Sequence, residues 1–220
     1  MRAQLRATPT SSMYLAASPA GQILRHCFAF HLEIESRTHF VFINAMPILQ
    51  TARLILRPFG ENDLDLMAEL MANPDFMRFS LGVYSREQTA AFVEKVIGWQ
   101  RDGLPSQFAL ITRSNGTLAG YCGFFHQVVD EIEEIEIGYR LHPAYWNQGL
   151  ATEAATAVRD HAFRDLKLPR AISLIHPDNI ASRRVAEKIG MTHEKKTVSR
   201  GFPTIVFAIS RGGWSANYGA

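Results

Sequence analysis

Cysteine is scarce in this chain. Two residues, Cys27 and Cys122, stand among 220 and lack CxxC spacing, which excludes a disulfide framework and a cysteine-built structural zinc site. The eight histidines contain no H-x-x-x-H or similar pair, so no metal is expected. No apolar run approaches the ~20 residues of a membrane-spanning helix, so no membrane partner is expected. Charge of one sign is not in excess either. The net charge of +2 lies in residues 1–45, where Arg2, Arg6, Arg25 and Arg37 face only Glu33 and Glu35. Residues 46–220 hold as many acids as bases. Nucleic-acid binders usually cluster basic residues, and no nucleic-acid partner is expected. There is no Gly-Lys-Ser/Thr and no Gly-x-Gly-x-x-Gly, which removes the Walker loop and the dinucleotide fingerprint. Internal repeats and low-complexity tracts are missing too. What remains is 47% hydrophobic, enough for a sizeable core without staples. A cytoplasmic location is expected.

Residues 1–46 are expected to be an N-terminal extension. They hold Ser and Thr clusters, no Lys and no sustained period. Three readings stay open: an artefact of an upstream start codon, a partly ordered extension, or a targeting segment without a long apolar stretch. Residues 47–212 are expected to be the functional domain and 213–220 a C-terminal tail.

The domain opens with a strand over Thr51–Arg57, stopped by Pro58. Leu64, Met67, Ala68 and Met71 have helical spacing, and Asn73-Pro74 ends that helix. Ser85 and Gln88 form a capping box for a helix through Gln100. Strands are expected over 108–112 and 118–129, joined by a turn at Ser114-Asn-Gly116. A third, 133–141, alternates Glu and Ile and has two unlike faces. A loop over 143–149 precedes a helix from Leu150 to Phe163. A strand at 170–175, a helix at 179–189 closed by Gly190, and strands at 192–198 and 203–210 around Gly201 follow. Hairpin-linked strands followed by one strand–helix–strand crossover imply an α+β domain: a mixed, mostly antiparallel central sheet with helices on both faces, three layers α/β/α.

The segment from Gly138 to Glu153 carries the chemistry. It runs strand, loop, helix, with Gly149 at the junction. A helix N-terminus presents unpaired N–H groups and partial positive charge, and a small residue there lets a phosphate approach. The amides of Gln148, Gly149, Leu150 and Ala151 form a candidate anion cradle, with the Thr152 hydroxyl beside it. A glycine at a helix start is also an ordinary cap, and the spacing alone leaves both readings open.

Three blocks occur in order: Thr51-Ala-Arg-Leu-Ile-Leu-Arg57; Glu136-Ile-Gly-Tyr139 with Tyr145-Trp-Asn-Gln-Gly-Leu-Ala-Thr-Glu-Ala154; and Pro177-Asp-Asn-Ile-Ala-Ser182 with Glu187-Lys-Ile-Gly190. Together they resemble the GNAT acetyltransferases over about residues 48–210. They are most similar to the branch of ribosomal-protein N-terminal acetyltransferases (RimJ/RimL type). The wider superfamily usually has Gln or Arg where Trp146 stands; that branch commonly has an aromatic.

The resemblance implies direct transfer of acetyl from acetyl-CoA, as co-substrate, to a primary amine in a ternary complex. The diphosphate of the coenzyme would lie on the amides of Gln148 to Ala151. Its pantetheine arm would pair with backbone at Ile137 and Tyr139, in a gap where the strand splays from Ser173–Ile175. Asn179 would bond the coenzyme, with Ser182 near it. Deprotonating the amine suits a carboxylate; Glu136 is the first candidate and Glu134 the second, against the plain role of charged strand residues in solubility. Many GNAT enzymes place a general-acid Tyr where this chain has Ala186, leaving Ser182 or Tyr145 as substitutes. His176 reads as a base or as a half-buried strand-end residue, and Cys122 as a structural core residue. Phe76, Phe79 and Tyr84 lie in a loop that borders the acceptor site in the family, or form a satellite cluster.

Asp130, Glu131, Glu133 and Glu134 read either as an attractant for a cationic acceptor or as a solvated rim. The acceptor is expected to be a small-molecule or peptide amine, and a homodimer is compatible with the sequence. Two other functions stay open: a non-catalytic acyl-CoA-binding module, suggested by the missing Tyr, and an adapter docking a partner through 1–45.

Overall fold

The computed structural model describes residues 46–219. The expectations for 1–45 lie outside the described residues. Eight strands form one sheet: β1 Leu49–Gln50, β2 Leu54–Pro58, β3 Gln107–Thr112, β4 Leu118–Val129, β5 Ile132–Leu141, β6 Arg170–Ile175, β7 Thr192–Ser199 and β8 Phe202–Ser210. Their order across the sheet is β1-β2-β3-β4-β5-β6-β8-β7. Every neighbouring pair is antiparallel except β5 and β6, which are parallel. Helix α3, Leu150–Arg164, makes the crossover between those two. A parallel neighbour cannot be reached by a tight turn, so the helix is a topological necessity.

The sheet has a core on each face. On one face Phe108, Phe124 and Ile137 pack with Leu150, Ala154, Ala155 and Val158 of α3. On the other, Ala109, Leu118 and Tyr121 meet Met67 and Met71 of α1, Leu64–Ala72, and Val93 and Val96 of α2, Arg86–Arg101. This is the expected α+β, three-layer arrangement. The capping box forms at α2: the Ser85 hydroxyl accepts from Gln88 N–H, and Ser85 N–H donates to the Gln88 side chain at 2.8 Å. Helix α4, Ile180–Lys188, has Asn179 as its N-cap.

Two expectations are corrected. The single strand over Thr51–Arg57 is broken: β1 folds back on β2, with Leu49 opposite Leu56. Thr51 makes the bend, because its hydroxyl both donates to Leu54 C=O and accepts from Leu54 N–H. The segment after 212 is no loose tail. It belongs to a helix, α5 Arg211–Tyr218, capped by the Ser210 hydroxyl. Trp214 is buried, 5.7 Å from the Phe163 ring, and its indole donates to Asp160 at 2.7 Å. Gly212, Gly213 and the polar residues after them hide this helix from pattern reading; the buried Trp214 and the Tyr218 ring, its centre 4.0 Å from the Arg159 guanidinium, hold it.

Candidate active site

Strands β5 and β6 share a single paired position, Glu136 opposite Ile172. Beyond it they part. The Ser173 hydroxyl donates to Ile137 C=O at 2.7 Å, and the Trp146 indole donates to Leu141 C=O at 2.7 Å. Backbone polar groups of alternate strand residues point the same way. Tyr139, between Ile137 and Leu141, therefore turns its N–H and C=O to the same side, where β6 makes no pair with it. The gap opens into a cavity of about 620 Å³, bounded by β5, β6 and the first turns of α3 and α4.

The glycine at the start of α3 has φ 78° and ψ 0°, and as the N-cap it supplies no side-chain bond. Glu153 N–H reaches Gly149 C=O at 3.0 Å. The amides of Leu150, Ala151 and Thr152 precede it and have no acceptor within the helix. Gly149, Leu150, Ala151 and Thr152 all line the cavity. An N–H cradle with a helix dipole behind it fits a diphosphate. Gln148 is not among the cavity-lining residues; its side chain folds back to Ala144 C=O, and its carbonyl accepts from Arg53. Asn147, with φ 59°, lines the cavity instead.

Arg53 and Glu153 brace this turn. Glu153 accepts from the Thr51 hydroxyl at 2.6 Å, from Arg53 N–H at 2.8 Å and from the Arg53 guanidinium at 2.7 Å. Burial opposes the charge of this carboxyl, but the bonds from Thr51 and Arg53 outweigh it and hold its pKa below the ordinary range. Nothing in the local sequence signals a contact between residues a hundred positions apart.

Glu136 sits where the strands part, half-buried and lining the cavity. It accepts from Gln127 at 2.5 Å and from Leu174 N–H at 3.3 Å. Burial pushes its pKa up, against the opposing pull of those two bonds and of the positive charges of Arg200 and Arg140. Gln127 in turn accepts from Arg200 at 3.4 Å. Glu134, the second candidate, points along the same face but is held by Arg170 at 3.1 Å, which also binds Glu194. It is not among the cavity-lining residues, and an arginine strut rather than a base is its place in the fold.

Asn179 and Ser182 line the cavity. The Asn179 carbonyl oxygen is occupied in capping Ser182 N–H at 3.1 Å, so its amide nitrogen is the part turned to other uses. Ser182 C=O accepts from the Tyr139 hydroxyl at 2.8 Å. That phenol is pushed up by burial and keeps its proton at neutral pH. Cys122 is fully buried and its thiol is pushed up by the same cause, as suits a core residue. His176 and Tyr145 also line the cavity.

On the α1–α2 side, Phe76, Phe79, Tyr121 and Phe125 form aromatic walls. Tyr84 joins the core under α2 instead. Two of the four rim acids are paired, Asp130 with Lys195 at 2.7 Å and with Thr197, and Glu134 with Arg170, while Glu131 and Glu133 are exposed. Arg140, Gln127, Arg53 and Glu153 were not singled out by sequence reasoning; their significance lies in contacts between elements distant in sequence.

A sheet parted at one parallel pair, with an uncapped helix start at the end of the gap, has a shape suited to an extended, anion-bearing ligand. Comparison with known proteins gives the class. The acetyltransferase (GNAT) domain family matches residues 53–192. The uncharacterized N-acetyltransferase YnaD of Bacillus subtilis is 33% identical over 157 residues, covering 70% of this chain and 89% of its own. The structure of a GNAT-family acetyltransferase from Bacillus anthracis superposes with a TM-score of 0.65 at 31% identity, over 76% of this chain and 99% of that one. RimL, a ribosomal L7/L12 α-N-protein acetyltransferase solved with coenzyme A, shares the fold: TM-score 0.64, 22% identity, 74% of this chain and 98% of that one. The chain belongs to the GNAT acetyltransferases, enzymes that take their acetyl group from acetyl-CoA.

Proposed function

We propose that this chain transfers acetyl from acetyl-CoA to a primary amine by direct attack, with both substrates bound, and that it belongs to the RimJ/RimL-type branch. One observation carries the reading: a single cavity joins the uncapped start of α3 to the Glu136 carboxyl at the parting of β5 and β6. The acetyltransferase body is residues 47–212, extended by α5.

The diphosphate would rest on the amides of Gly149 to Thr152. Ile137 C=O already accepts from Ser173, so strand-like pairing with the coenzyme arm falls mainly to the backbone of Tyr139. The Asn179 amide nitrogen is placed to bond the same arm. Glu136 takes the proton of the attacking amine, directly or through one water. A carboxylate whose pKa lies above the usual range is a stronger base, closer to the working pH. The amine nitrogen bonds to the carbonyl carbon, the C–S bond breaks, and the thiol leaves with a proton from Ser182, Tyr145 or solvent. A thiol is a good leaving group at neutral pH, so the Tyr replaced by Ala186 is dispensable; holding the reactants together supplies much of the rate.

The test is an acetylation screen of the purified full chain with acetyl-CoA and a panel of amines, read by thiol release and product mass. Amine-dependent release is expected. Tight acetyl-CoA binding with no release across the panel would make the chain a binding module instead.

Gln127 offers a finer check. Its bond to Glu136 favours the ionised carboxyl, so Gln127→Met removes a stabilising donor and raises the Glu136 pKa further. The acid limb of the kcat/KM–pH profile should move to higher pH, with activity at high pH less affected. A limb that stays in place would remove Glu136 as the group that sets it.

A further inference from the structure

Glu136, Gly138 and Arg140 alternate along one face of β5, the face turned to α1 and α2. Opposite them on β4 stand Phe125 and Tyr121, in register with Glu136 and Arg140. Gly138, lacking a side chain, lets the Phe125 ring pack against the strand between the two charged residues. A Cβ there would come within 2.8 Å of the Phe125 ring and 3.8 Å of a Glu136 carboxylate oxygen. The result is a trough with a carboxyl at one end, a guanidinium at the other, and aromatic rings along its side. Both charged groups line the cavity.

Arg140 has an unusual position for a half-buried cation. It lies over the Phe76 ring, 5.8 Å from its centre, and one guanidinium nitrogen contacts the Ser80 hydroxyl and Met77 sulfur. No carboxylate lies within ion-pair distance of it among the described residues. A guanidinium carries five donors, and the contacts to Ser80 and Met77 involve only one of its nitrogens. Arg78, exposed at the mouth over Phe79, adds a second positive charge, and Asp75 beside it is an acid among the lining residues. Two acids of the rim, Asp130 and Glu134, are paired with Lys195 and Arg170.

We propose that the acceptor is an amine that also bears a carboxylate, an amino acid or short peptide acid with an apolar or aromatic side chain, and that Arg140 binds its carboxylate. This rests on the acetyltransferase reading above and names its acceptor class. The amine lies toward Glu136, the carboxylate meets the free side of the Arg140 guanidinium, and the side chain lies against Phe76, Tyr121 and Phe125. Planar, paired donors are suited to a carboxylate. A site built to bond a charged group rejects analogues lacking it, because its own buried group is then left unpaired.

The experiment measures kcat/KM for amino acids, each beside its amide, with the full chain and with Arg140→Met and Arg140→Lys. The amide amine is the less basic and is neutral more often at pH 7.5, so intrinsic chemistry favours the amide. Wild type is expected to prefer the acid by about tenfold or more. Arg140→Met should erase that ratio and Arg140→Lys should keep part of it. Equal or better use of amides by wild type overturns the proposal and leaves the acetyltransferase reading intact. A parallel loss on acid and amide in both variants also overturns it, since Arg140 would then only anchor the Ser80 loop. Absence of transfer to every amine defeats both readings together.

Discussion

Glu136→Gln is expected to lower kcat by about 10²–10⁴-fold, with a much smaller change in the acetyl-CoA KM. Gln retains the oxygen that accepts from Leu174 N–H and loses the ability to take a proton. The same substitution should not weaken the fold. Burial raises the pKa of this carboxyl above its unfolded value. Such a group contributes stability that is fully present below the unfolded pKa and is lost as pH rises through the folded one. As pH rises above the unfolded pKa the carboxyl therefore weakens the native state progressively, and the neutral amide relieves that cost. A variant that is inactive yet has an equal or higher Tm at pH 8 is the expected outcome. A Tm that falls together with activity would assign Glu136 a structural role.

Gly149→Val is expected to raise the Kd for acetyl-CoA by about 100-fold, which at 1.4 kcal/mol per decade is near 3 kcal/mol. Left-handed backbone costs an L-residue roughly 1–2 kcal/mol, more for a branched side chain. With φ at 78°, valine would relieve this by turning the peptides on either side of it, and the first-turn amides of α3 would no longer converge. The side chain would also meet Arg53, whose guanidinium lies 3.5 Å from the Cβ position. Asparagine tolerates the left-handed region better than alanine, so affinity should fall in the order Gly, Asn, Ala, Val. Calorimetric titration of the four proteins checks the order; equal affinities would mean that the turn does not hold the coenzyme.

Elements with short-range signals were legible before the fold. The Ser85–Gln88 box, the Gly116 and Gly201 turns and the helical spacing of 64–71 depend on neighbours a few positions apart. The start of α3 was legible for the same reason, since a glycine before an apolar helix is a local pattern. The direction of the Gln148 side chain, which folds back onto Ala144 C=O, had no signal in the sequence. Glu134 and Glu136 could not be separated by alternation, which places them on one face; Arg170, on another strand, separates them. The Arg53–Glu153 brace joins a helix start to the bend before β2, and the Arg140 trough arises from pairing of β4 with β5; no spacing rule encodes either. Helix α5 escaped because its polarity and glycines mask the aromatic residues that anchor it.

The account stands on the peptide nitrogens at the start of α3, and a crystal structure of the full chain with acetyl-CoA tests them most directly. Diphosphate oxygens should lie about 3 Å from the amide nitrogens of Gly149 to Thr152, with the arm running beside Tyr139 and the thioester near Glu136. A coenzyme bound elsewhere, with that turn left vacant, would contradict the account.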